Sequence, residues 1–248
     1  MITVKSKTEL QLMRDAGKLL AEVLDELEGA CTAGVTTNDI DRIADGLIRK
    51  SGAVPGFLGY NGFPKSLCIS VNEEVVHGIP GSRVIGDGDL VSLDCGLVYN
   101  GLWADSGRTV MVGDVTQQAR KLVDVTRNAL DAGIQQARPG NRVGDISAAV
   151  QKVVEAGGFS VVRNFVGHGI GRNMHEEPQV PNFGVPGTGP LLKTGYALAI
   201  EPMVNEGTHE VEMLDDRWTI ITADRKLSAY FEHTVLITDD GPEISTAA

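Results

Sequence analysis

Apolar residues near the start of the chain recur at helical spacing. Leu10, Met13, Gly17, Leu20, Leu24 and Leu27 share one face up to Gly29. Ser6 followed by Glu9 has the spacing of a capping box and marks where that helix begins. Thr37 opens a second helix with Ile40, Ile43, Ala44, Leu47 and Ile48 on one side, and Gly52 closes it. Turn formers dominate from Pro55 to Pro64, and residues 67–76 read as extended. Two apolar arms, Leu90 to Val98 and Leu102 to Val112, flank Tyr99-Asn100-Gly101 and predict a hairpin. Helices near 116–137 and 142–156 follow, with Pro139-Gly140 between them. Strands are then expected near 159–166, 197–205, 209–222 and 229–238. Helices segregated from antiparallel strands predict an α+β chain.

The pattern occurs twice. Gly34, Asp39, Ile40 and Gly52 recur 106 positions later as Gly140, Asp145, Ile146 and Gly158, and Leu47-Ile48 is matched by Val153-Val154. With an offset of 107, Gly88, Leu90, Leu93 and Asp94 map onto Gly195, Ala197, Ile200 and Glu201. A carboxylate therefore ends the same apolar strand in each half. No low-complexity linker separates them, so residues 1–248 read as one domain. Its halves, about 1–112 and 113–248, are expected to share one sheet and one core.

That carboxylate changes the reading from structure to chemistry. Asp94 follows Leu90-Val91-Ser92-Leu93, and Glu201 follows Ala197-Leu198-Ala199-Ile200. A lone strand aspartate is more often a turn residue or half of an ion pair, but acids ending apolar runs are costly to desolvate without a cation nearby. Asp105 lies on the opposite arm of the hairpin from Asp94, so a modest loop brings both carboxylates onto one face. Together with His168 and Glu232 they look like the coordination set of a two-metal hydrolase, since four carboxylates and one imidazole suit two divalent cations sharing a water. If the five meet in space, the protein is an enzyme.

The remaining histidines divide by context. His168 sits in Gly167-His168-Gly169-Ile170-Gly171, where glycines permit close backbone approach. His77 and His175 lie beside turn formers and fit either a site or an ordinary hydrogen-bonded loop. His209, in the Glu206-Gly207-Thr208 turn, is expected in solvent. His233 follows Glu232 on a strand, so the pleat points it away from the cations.

Composition limits the setting. The 248 residues are 42% hydrophobic, enough to bury a full core. No apolar run approaches the roughly 20 residues needed to cross a bilayer, and the opening MITVKSKTEL lacks a secretory pattern, so a cytoplasmic protein is expected. A net charge of -11 argues against nucleic acid as a partner. Cys31, Cys68 and Cys95 are an odd number without CxxC spacing, which argues against disulfides and zinc knuckles.

The segments VNEEVVHGIP, SLDCGLVYNGLWADSGRT, GHGIGRNMHEEPQVPN, LAIEPMV and FEHTVLITDDG resemble the signature blocks of the bacterial type I methionine aminopeptidases, in order and spacing from about residue 6 to the end. The resemblance implies a pita-bread fold, two related halves around a dinuclear site. It implies Asp94, Asp105, His168, Glu201 and Glu232 as metal ligands, with Asp105 and Glu232 bridging, Asp94 on one cation and His168 with Glu201 on the other. It implies hydrolytic removal of the N-terminal methionine of nascent polypeptides by a metal-bridged hydroxide, with Glu201 as general base. His175 would donate to the carbonyl oxygen and His77 would contact the scissile amide nitrogen. The cations would be Co, Mn, Fe or Zn.

By the same resemblance Tyr60, Phe63, Cys68, Met174 and Trp218 line the methionine pocket. Phe63 and Met174 stand where relatives commonly carry tyrosine and phenylalanine, so details of shape are expected to differ while the pocket stays apolar. The second residue of a substrate should be small, so a chain beginning Met1-Ile2 is expected to keep its own methionine. A monomer with the ribosome as a transient partner is also expected. Xaa-Pro peptidases share the fold but usually carry a large additional N-terminal domain. Type II methionine aminopeptidases carry a helical insertion, whereas His175 to Glu201 spans only 26 positions here. A non-catalytic peptide-binding relative would lack ligands, and none is missing. The Pro- and Gly-rich stretch from Pro178 to Pro190 is expected to cover one rim.

Overall fold

A computed structural model describes residues 2–247; Met1, on which the expected methionine retention turns, lies outside them. The first half runs α1 (Lys7–Ala30), α2 (Thr37–Lys50), β1 (Val54–Pro55), β2 (Cys68–Val71), β3 (Glu74–Val76), β4 (Leu90–Tyr99) and β5 (Leu102–Met111). The second half runs α3 (Gln117–Gln136), α4 (Val143–Ala156), β6 (Ser160–Val161), β7 (Gly167–Gly169), β8 (Glu176–Val180) and β9 (Ala197–Ile200). It continues through β10 (Met203–Asn205), β11 (Val211–Met213), β12 (Ile220–Thr222), β13 (Ser228–Tyr230), β14 (Glu232–Thr238) and β15 (Gly241–Ile244).

Local chemistry sets these elements. The Ser6 hydroxyl accepts from the Glu9 amide at 3.3 Å while the Glu9 carboxylate accepts from the Ser6 amide at 2.8 Å, so α1 starts with a full capping box. α2 opens at Thr37 as expected, and Thr36 before it caps the helix through Asp39 in the same way. Asn100 and Gly101 both take left-handed backbone (φ 48° and 80°), which closes the hairpin of β4 and β5 in register with their twist.

The duplication is visible in the backbone. Thr36 bridges Val84 in the first half, and Arg142 bridges Leu191 in the second. The Gly34 amide donates to Ile85 as the Gly140 amide donates to Leu192, and both glycines have φ 93°. The Gly88 amide reaches the Val112 carbonyl and the Gly195 amide the Ile237 carbonyl, each at 2.8 Å. The halves meet where β5 pairs with β14, Gly107 opposite Glu232 and Ser106 opposite His233. One antiparallel sheet thus runs β1-β4-β5-β14-β9-β7-β8, with β2 beside β4 and β15 beside β14. The expected single core is instead divided. Leu20, Leu24, Ile40, Leu93 and Leu97 form one cluster under α1 and α2, and Leu122, Leu130, Ile146, Ile200 and Val235 another under α3 and α4.

Five expected extended segments are broken. Residues 67–76 fold back at Asn72 (φ 60°) into β2 and β3, 159–166 keeps only Ser160–Val161, and 209–222 is the hairpin of β11 and β12. The span 197–205 leaves the large sheet for a three-stranded one at Glu201-Pro202, and 229–238 passes from that three-stranded sheet back into the large one at Phe231. Pro202 has no amide to continue the ladder, so the chain turns a corner there. Glu201 and Glu232 sit at those two corners.

Candidate metal centre and substrate pocket

Strand parity brings the acids together. Val91, Leu93, Cys95 and Leu97 on β4 pack under the helices, so Asp94 projects from the opposite face. Ala104 and Val110 on β5 do the same and turn Asp105 outward with it; Asp94 is opposite Gly107, two residues from Asp105. On β9 and β14, Leu198, Ile200, Val235 and Ile237 face the helices, which leaves Glu201 and Glu232 on the Asp94 side. The pleat sends His233 the other way, as expected, onto Thr246 Oγ1 at 2.9 Å. His209 is half-buried beside Arg163 and Phe159, not solvated as expected.

The five expected ligands line one cavity of about 100 Å³. Donor atoms of Asp105, His168 and Glu232 lie within 4.8 Å of one another, and His168 Nε2 is 3.5 Å from Glu201 Oε1. Asp94 Oδ1, Asp105 Oδ1 and Glu232 Oε1 are buried without a hydrogen-bond partner. Burial pushes the Asp94, Asp105 and Glu201 carboxyls well above the usual range, and the neighbouring Glu232 charge pushes each further. Burial also raises Glu232 to about 7, against donation from the Tyr230 phenol. His168 Nδ1 is 2.8 Å from the Gly169 carbonyl, which can only accept, so Nδ1 carries the proton and Nε2 keeps its lone pair. Burial holds that ring down to about 4. Three orphaned carboxylate oxygens beside an imidazole lone pair fit a divalent cation, which would supply the compensating charge.

Glycine makes this approach possible. A Cβ on Gly169 would lie 2.1 Å from the Glu177 carbonyl oxygen, and one on Gly167 would lie 2.4 Å from that of Ala199. Gly169→Ala is therefore expected to cost roughly 1–3 kcal/mol in urea unfolding through backbone displacement. An unchanged midpoint would mean that β7 tolerates the shift.

Next to the acids lies an apolar pocket of about 190 Å³. All five expected lining residues, Tyr60, Phe63, Cys68, Met174 and Trp218, are there, and Phe63 meets Trp218 edge-on at 5.1 Å. His77, Asp94, Met174 and His175 line both spaces. His77 takes left-handed backbone (φ 60°), and burial, followed by the charge of His175, lowers its ring to about 4. Burial lowers His175 as well. Phe57 and Asn61 also border the pocket, and Val76, Phe165, Met203 and Tyr230 border the cavity. None of these six was expected; only Tyr230 carried a signal, standing two residues before Glu232.

Residues 11–239 match the model of metallopeptidase family M24. The chain belongs to that family. Among relatives of this M24 chain, the methionine aminopeptidase of Clostridium perfringens (strain 13 / Type A) is 54% identical over 246 residues, covering 99% of each chain. The crystal structure of methionine aminopeptidase from Rickettsia prowazekii matches with a TM-score of 0.98 at 42% identity, covering 99% of this chain and 100% of that one. The α+β, pita-bread arrangement expected from the sequence is therefore the M24 fold. A prolidase from Pyrococcus furiosus, 21% identical with a TM-score of 0.78, shares the fold alone, and this chain covers 65% of it. No helix among the described residues of the M24 chain is long and apolar enough to cross a membrane.

Proposed function

We propose that this M24 chain is a metal-dependent aminopeptidase that removes N-terminal methionine from polypeptides with a small second residue. The observation that carries the reading is the shared wall. Because His77, Asp94, Met174 and His175 border both spaces, a side chain filling the apolar pocket sets its own carbonyl against the acids. An unbranched thioether suits walls of aromatic rings and sulfur.

Asp94, Asp105, His168, Glu201 and Glu232 would hold two divalent cations, Co, Mn, Fe or Zn, with Asp105 and Glu232 as the residues available to both. Bound there, such ions lower the pKa of a water to near neutrality and polarise the scissile carbonyl. Glu201, whose carboxyl is raised by burial, takes the proton of the attacking water. His175 donates to the carbonyl oxygen as negative charge develops, and His77 contacts the scissile amide nitrogen. The whole chain acts as one catalytic domain, a cytoplasmic monomer that meets nascent chains with transient ribosome contact. Its net charge of -11 leaves nucleic acid without a basic face.

Purified protein should release methionine from Met-Ala-Ser and spare Xaa-Pro peptides, lose this activity to a chelator and regain it with a divalent cation. Cleavage of Xaa-Pro peptides with Met-Ala-Ser untouched would assign the site to the prolidase reaction.

A further inference from the structure

Tyr60 does more than wall the pocket. Its phenol oxygen lies 2.7 Å from His175 Nδ1 and meets no other hydrogen-bonding group among the described residues. The two rings are tilted with centroids 5.6 Å apart, and the edge of Trp103 supports the Tyr60 ring at 5.7 Å. Tyr60 is carried by a tight turn in which Gly59 (φ 84°) and Asn61 (φ 48°) both take left-handed backbone, which fixes where the ring leaves the chain. The Trp103 amide donates to the Gly171 carbonyl at 2.8 Å, so one residue braces both the tyrosine and the loop that carries His175. Behind that loop, Glu176 accepts from buried Lys5 at 2.8 Å and from the Arg172 amide at 2.9 Å. His175 is held from both sides.

We infer that Tyr60 is a positioning residue for the hydrolytic reaction: its hydroxyl donates to His175 Nδ1 and so keeps the His175 proton on Nε2, the ring nitrogen left to face the reacting carbonyl. Two arrangements of the bond exist, and they differ in what His175 offers the site. With the phenol donating, Nε2 carries a proton. With Nδ1 donating, Nε2 is a bare lone pair in the cavity that His175 shares with the acids, and it has no proton to give. Among the described residues the phenol proton has no acceptor other than Nδ1, which favours the first. A neutral imidazole with no partner on Nδ1 would populate both tautomers, and only one of them could donate to an oxygen gaining charge.

The inference rests on the role given to His175 above, and the test separates the two. In the full-length protein labelled with ¹⁵N-histidine, the ring nitrogen shifts of His175 should report a proton on Nε2 and a bare Nδ1 at neutral pH. In Tyr60→Phe, which keeps the ring and loses only the hydroxyl, they should report a mixture. Turnover of Met-Ala-Ser by Tyr60→Phe should fall about tenfold at unchanged KM, the scale of one partly exposed hydrogen bond. The same substitution should change nothing further in His175→Ala. A proton found on Nδ1 in the wild type, a single Nε2-protonated form in Tyr60→Phe, or an equal loss in both backgrounds would overturn the positioning role. If His175→Ala keeps full turnover, the role of His175 fails instead, while the nitrogen shifts still decide what Tyr60 does.

Discussion

His175→Ala lowers turnover of Met-Ala-Ser by roughly 10²- to 10³-fold and leaves KM close to the wild-type value. The size follows from what the imidazole meets along the reaction. In the ground state the substrate carbonyl is a neutral acceptor, and on the proposed reading its place would be fixed chiefly by the methionine side chain in the pocket that Phe63, Cys68 and Trp218 line. As water attacks, charge gathers on that oxygen inside a largely buried cavity shared with four carboxyl groups, so a preorganised donor gains most there. Burial keeps His175 neutral near pH 7, and its Nδ1 is engaged by Tyr60, so the donor is present without a rotamer search. A variant whose KM rises while kcat holds would show His175 to be a binding group only, and wild-type turnover would remove it from the reaction.

How much of this was legible in the sequence depends on the range of the interaction involved. Helix α1 was clear because Ser6 with Glu9 marks its start within four residues, and α2 because Ile40, Ile43, Ala44, Leu47 and Ile48 keep a helical period up to Gly52; the Thr36 cap on Asp39 was seen only in the structure. The hairpin of β4 and β5 was clear for the same reason, since Asn100-Gly101 states the turn and the alternation states the face. That face carried Asp94 and Asp105 together, and the duplication carried Glu201 to the matching place in the second half. The corners at Pro202 and Phe231 were not legible. Ala197 to Ile200 and Met203-Val204 are both apolar runs, and Pro202 marks a break in the ladder without saying that β9 and β10 belong to different sheets; the partners that decide it, β14 and β13, lie more than twenty residues away. The pocket divides along the same line. Tyr60, Phe63, Cys68, Met174 and Trp218 came from resemblance to a family. Phe57 lies in a turn-rich segment and Phe165 at the end of an expected strand that the structure keeps only at Ser160–Val161, and tertiary packing brings both to the site.

Metal removal is expected to destabilise the protein in a pH-dependent way that identifies the buried acids as its cause. Burial raises the folded-state pKa of Glu232 from 4.5 to about 7, and Asp94, Asp105 and Glu201 shift in the same direction. A carboxyl raised on folding contributes its full share of stability below the unfolded value and loses it as pH climbs through the folded one. For Glu232 that window runs from about 4.5 to about 7, and its loss is on the order of 3 kcal/mol. His77, His168 and His233, held at about 4, act oppositely, gaining stability as pH rises from 4 towards 6.5. Asp105→Asn separates the two, since it leaves the histidines in place and removes one of the mutually repelling charges. Chelator-treated Asp105→Asn should therefore unfold in urea at a higher midpoint than chelator-treated wild type at pH 8, with the gap closing towards pH 5. Saturating divalent cation should reverse the order, because a ligand at 1,000 times its Kd adds about 4 kcal/mol to the wild type, while the variant lacks one buried anionic oxygen to hold it. The linkage tests the site without any turnover. Equal midpoints for the two chelated proteins at pH 8 would mean that the orphaned oxygens of Asp94, Asp105 and Glu232 do not share a cation-sized space.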